Sequence, residues 1–177
     1  MSTAENPGRV RFSYKKYYSF RNKVNKTFSE RFRSDMMINY VAQVLLYGDT
    51  QPCVVVGLNP LRVAAYSDEM DAVVILDFPV EFVEKYNLSI GSRLTSSNTY
   101  QIYEKVAPDV FPGFGYLGHY SDFMPVVQLF VGKTDKIIAK NVSVFPEETW
   151  EKVNAKANEY LLNHSDMVRP GFYYFQK

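Results

Sequence analysis

The sequence predicts an α+β fold, a mostly antiparallel sheet covered by helices on one face, with an N-terminal basic helical arm. Three observations carry this reading. Apolar residues recur at helical spacing between 37 and 45 and again between 150 and 161. Short β-branched runs punctuated by turn residues lie between 53 and 78. The order helix, strands, helix, strands, helix lacks the regular βαβ alternation that a parallel sheet needs. Residues 1–27 are expected to form the arm and 28–177 a single domain, a length that buries enough surface to fold without disulfides.

Along the chain, Tyr14 to Lys26 reads as a short helix or an extended arm. Phe28 to Tyr47 reads as one helix. Met37, Tyr40, Val41, Val44 and Leu45 share a face, Thr27 and Glu30 fit a capping box, and Gly48 stands where a left-handed cap is expected. Cys53–Leu58 is a strand ending at the Asn59-Pro60 turn. Arg62–Tyr66 and Ala72–Phe78 form a hairpin around the polar residues 67–71. Pro79 opens a short helix closed by Asn87. Residues 92–102 form a strand of polar alternation, and Ala107–Pro125 a long loop rich in Gly, Pro and aromatic rings. Val126–Val131 and Ile137–Phe145 are expected to pair as a second hairpin. Glu147–Asn163 is the closing helix, with Trp150, Val153, Ala157 and Leu161 as its buried stripe.

Composition narrows the function classes. With 46% hydrophobic and 22% charged residues the chain is globular rather than disordered. Its 14 Tyr and 13 Phe favour a contact surface, because such rings are enriched where proteins bind. One cysteine, Cys53, excludes an internal disulfide framework and a multi-cysteine zinc site. The first residues contain no apolar segment of a secretory signal, and no stretch reaches the length of a membrane span; the expectation is a cytoplasmic protein without a membrane partner. Charge is uneven: residues 1–33 carry nine Lys/Arg against Glu5 and Glu30, a balance of +7, and the remainder carries −6.

Gly113, Gly115 and Gly118 spell G-x-G-x-x-G, the spacing of a dinucleotide cradle. That motif needs a strand before it and a helix after it, and Pro112 and Pro125 bracket a segment with neither. Gly132-Lys133-Thr134 lacks the upstream glycine of a phosphate loop, since Val127 stands there. No cofactor and no metal is expected.

The leading expectation is a binding or protein-interaction module without catalysis, its contact surface centred on loop 107–125. Arg93, Phe114, Tyr116, His119, Tyr120 and Asp122 are the candidate contacts for a protein partner or small-molecule ligand, framed by the acidic residues 68–71. A second expectation is single-stranded nucleic-acid binding by the basic, aromatic segment 9–33, through Arg11, Lys15, Lys16, Tyr18, Arg21 and Lys23. The same arm could dock on the acidic body of another copy and give a homo-oligomer. A third is a hydrolase or metal-dependent enzyme using His119 with carboxylates.

Overall fold

The computed structural model describes residues 4–133 and 135–176. Three helices, α1 (Tyr14–Val24), α2 (Phe28–Met36) and α3 (Ile38–Tyr47), precede β1 (Asp49–Leu58), β2 (Leu61–Ser67) and β3 (Ala72–Phe78). After α4 (Glu81–Lys85) come β4 (Arg93–Gln101), β5 (Asp122–Val127), α5 (Gln128–Val131), α6 (Asp135–Ser143), α7 (Glu147–His164) and β6 (Arg169–Pro170). The sheet order is β5-β4-β1-β2-β3-β6, antiparallel throughout except for the short β3–β6 pair. The class is α+β, as expected.

Cover lies on both faces of the sheet rather than on one. The strands alternate, so Cys53, Val55, Val63, Ala65, Val74 and Leu76 point one way. They meet Tyr17 and Phe20 of α1, Val41 and Leu45 of α3, Phe130 of α5 and the tail residues Phe172 and Phe175. Val54, Ala64, Tyr66, Val73 and Ile75 point the other way, onto Trp150, Val153, Ala157 and Tyr160 of α7. Tyr160 takes the buried place expected of Leu161, which lies only partly covered. The continuous apolar runs of β1 and β3 are the sequence signature of this two-sided burial.

The segment upstream of Thr27 is helical over α1, and it enters the common core through Val10, Phe12, Tyr17 and Phe20. Thr27 and Glu30 form the expected capping box. The single helix 28–47 is instead two. Met37 breaks it, because Ser34 is the buried position of α2 while the apolar stripe from Met37 onward belongs to α3, and the two faces do not align. Gly48 has an extended φ of −64° and leads straight into β1. Its glycine is required for space, since a Cβ there would fall 2.5 Å from the Val44 carbonyl.

The expected hairpin at 126–145 is replaced by β5 followed by α5 and α6. Ile138 is buried against the core with Ile137 partly covered beside it, while Val142, one turn on, packs against the α7 cluster, a helical spacing that overrides β-branched propensity. The last residues of the expected loop, 122–125, belong to β5, where Pro125 sits on an edge strand as the missing N–H demands. The polar β4 is buried: Thr95, Ser96, Ser97 and Asn98 are all inside. Gln128 satisfies this seam, accepting from Thr95 Oγ1 (2.8 Å) and Asn141 Nδ2 (2.9 Å) and donating to Ser97 Oγ (3.1 Å).

The sheet curls until its two edges face each other. Arg169 of β6 spans the gap, bonding the Asp109 carboxylate, Asp122 Oδ1 (2.8 Å) and the Phe123 carbonyl (2.9 Å) at the start of β5. Two carboxylates and one guanidinium, all largely buried, close the seam with side chains where a barrel would use backbone bonds.

Candidate binding site

The site begins with Asp71, at the end of the β2–β3 turn. Its φ of +45° is left-handed, a conformation Asp tolerates better than most residues, and it turns the side chain inward. Oδ1 accepts from Tyr66 OH at 3.0 Å, Lys152 Nζ at 2.8 Å and Lys156 Nζ at 3.2 Å. Oδ2 accepts the Gly115 N–H at 3.0 Å, and the Asp71 carbonyl accepts the Gly113 N–H at 3.1 Å. One residue therefore fastens α7 and the base of loop 107–121 to the sheet. A Cβ at Gly113 would collide with the Asp71 carboxylate, which explains that glycine without any phosphate.

The loop also holds itself. Tyr116 OH donates to the Tyr120 carbonyl (2.5 Å), and Tyr120 stacks on Tyr100 with centroids 4.8 Å apart. Ala107 N–H bonds the Ser121 carbonyl at 2.8 Å. Phe111 lies flat on His164 of α7, 3.6 Å between ring centroids and 5° between planes, with Tyr160 at its edge. Between loop and helix lies an open pocket of about 350 Å³. Phe111, Gly113 and Phe114 form one wall, Lys156, Tyr160 and His164 the other, and Ala72 and Val73 line it as well. The volume is at the small end of the range for ligand sites, roughly 300–1,000 Å³.

Electrostatics fix the charge states around Asp71. Burial alone would raise the Asp71 carboxyl, but the bonds from Lys152, Gly115, Lys156 and Tyr66 outweigh it and hold the group down to about 2. Burial pushes the Tyr66 and Tyr160 hydroxyls up to about 12. Asp71 is thus ionised and both tyrosines neutral across the physiological range.

The chain matches no known protein family, curated protein or solved structure. Function must come from this geometry.

Of the residues expected at the site, Phe114 lines the pocket and is fully exposed at the loop tip. Tyr116 and Tyr120 brace the loop, and Asp122 belongs to the Arg169 clasp. His119 is exposed with the edge of its ring towards Tyr120, and no cluster of metal-ligating side chains occurs among the described residues. Arg93 is not brought to the loop. It pairs with Glu147 and covers Trp150 at the first turn of α7, about 25 Å of helix from His164. In the basic segment, Lys16 reaches the Leu129 carbonyl (2.9 Å) and Asp135, Arg21 pairs with Asp35, and Lys23 pairs with Glu81. Arg11, Lys15 and Tyr18 face solvent.

Sequence reasoning placed Asp71 at the rim, within the acidic residues 68–71, and missed Lys156, Tyr160 and His164 as site residues. A signal was present: Lys152, Lys156, Tyr160 and His164 recur every four residues, one row along a helix face.

Proposed function

We propose that the protein is a binding module without catalysis, which receives its ligand in the pocket between loop 107–121 and the C-terminal half of α7. The observation that carries this reading is a loop tied down at both ends that nevertheless turns Phe114 and Leu117 into solvent. A loop ordered before binding loses little entropy on binding, and large apolar side chains held outward are otherwise costly. The pocket's chemistry defines the guest. Phenyl and imidazole rings favour a flat apolar group, and Lys156 favours a negative end. Lys156 can serve both Asp71 and the guest, since its ammonium carries three N–H donors and the Asp71 bond at 3.2 Å engages one of them. The guest is an aromatic carboxylate, either a free small molecule or a phenylalanine beside an acidic residue of a partner protein.

The test is an amide-shift NMR titration of the full chain with phenylacetate and, in parallel, with a short peptide containing Phe next to Glu. Shifts converging on Gly113, Lys156 and His164, and lost in Phe111→Ala and Lys156→Gln, support the reading. Response to the peptide alone assigns a protein partner. Shifts elsewhere, or shifts indifferent to both substitutions, refute it.

A further inference from the structure

Helix α2 is built inside out. Its buried position is Ser34, fully enclosed and bonded through its hydroxyl to Tyr17 OH at 2.6 Å. Its large apolar side chains, Phe28, Phe32 and Met36, are 83%, 58% and 66% exposed, and they stand at i, i+4 and i+8 in one outward row. Folding alone would turn that row towards the core. Helix α1 repeats the arrangement beside it. Tyr14 and Tyr18, also four apart, are exposed and stacked at 6.5 Å, and Arg21 lies over the Tyr18 ring while reaching across to Asp35 of α2.

Charge identifies the occupant. Lys16, Arg21 and Lys23 are consumed by partners within the fold. Arg31 turns its guanidinium back onto the Lys26 and Thr27 carbonyls. Arg11, Lys15, Lys26 and Arg33 remain exposed and have no acidic partner among the described residues. Each of three lies within two positions of an exposed ring: Lys15 beside Tyr14, Lys26 before Phe28, Arg33 beside Phe32. A second copy of the same face would set cation against cation, so self-pairing is opposed. Four of the five exposed side chains are flat rings, the shape that stacks on a base.

We propose that the α1–α2 face binds single-stranded nucleic acid, with bases stacking on Tyr14, Tyr18, Phe28 and Phe32 and phosphates meeting Arg11, Lys15, Lys26 and Arg33. This is a second surface, distinct from the pocket under loop 107–121, and it does not rest on the reading of that pocket.

Fluorescence anisotropy of labelled oligothymidylate and oligouridylate with the full chain tests it. Binding at low salt should weaken with a log–log slope of about −3, four contacts at roughly −0.7 each. The double variant Tyr18→Ser/Phe32→Ser should lose about tenfold in affinity for each ring and keep that slope. Lys15→Gln/Arg33→Gln should make the slope shallower by about 1.4. All four side chains are exposed, so melting curves should be unchanged; Phe28→Ser, at the most exposed ring, is the substitute if either double variant unfolds. No anisotropy change at low salt overturns the proposal. So does binding indifferent to the rings, tighter binding to phosphatidylserine vesicles than to either oligonucleotide, or a concentration-dependent dimer that the ring variants abolish.

Discussion

Asp71 and Asp49 show how two carboxyl groups a short way apart in the fold respond oppositely to their surroundings. Asp71 has its carboxyl held down to about 2, so its contribution is present above its unfolded value near 4 and is lost as pH falls through 2. Asp71→Asn keeps a residue that accepts the left-handed φ and removes only the charge, so backbone strain does not confuse the result. We expect it to cost about 2 kcal/mol at pH 7 in urea denaturation, with the difference vanishing near pH 2. Equal stability at both pH values would mean that Lys152 and Lys156 gain nothing from the carboxylate. Asp49 is the reverse: burial first, then repulsion from Asp68 and Glu69, outweighs the bonds from Gln51 Nε2 (2.6 Å) and Tyr100 OH (3.2 Å) and raises it to about 6. Its folded form favours the proton, so this residue's share of stability is full below pH 4 and is lost as pH rises through 6. Asp49→Asn should therefore gain about 2 kcal/mol at pH 7 and nothing at pH 4. A gain of the same size at both pH values would point to packing instead of charge.

Among the elements, what could be foreseen was what one face of one segment decides by itself. The strands β1, β2 and β3 were legible because apolar runs between turn residues admit few other arrangements, and the capping box at Thr27 is a local exchange between two side chains. The helix 28–47 was legible as helix but not as two helices. The break depends on Ser34 finding Tyr17, a residue of another element. The burial of β4 was hidden for a similar reason: Thr95 and Ser97 look like surface until Gln128, some thirty positions on, supplies their partner. The aromatic loop was legible as irregular and ring-rich, while the contacts its rings make within the fold were not. Tyr116 and Tyr120 brace the loop, which spacing alone could not show, because it says nothing about which rings turn back on the fold. The helix that completes the pocket lies about forty residues further along, and only its four-residue rhythm announced it.

For the molecule as a whole, the Arg169 clasp holds a curled sheet whose edge strands share no backbone ladder. Arg169→Leu would leave Asp109 and Asp122 largely buried without their cation, and we expect a loss of about 3 kcal/mol. Arg169→Lys should recover little of it, since one ammonium cannot reproduce a guanidinium's fork across two carboxylates and a carbonyl. Hydrogen exchange gives the spatial check: amides of β5 should exchange faster while those of β1 and β2 keep their protection. Unchanged β5 protection would show that the seam is held by packing alone. The same tail also sets the order in which the fold can be completed. Phe20 stacks on Phe172 at 3.9 Å, and Tyr17 meets Phe175 at 4.8 Å, so rings from the start of the chain wait for partners some 150 residues later. During synthesis α1 leaves the ribosome long before the residues that cover it. Completing the core around α1 is thereby tied to contacts of high sequence separation, which slow folding, and the part of α1 that meets Phe172 and Phe175 stays uncovered until those residues have been made.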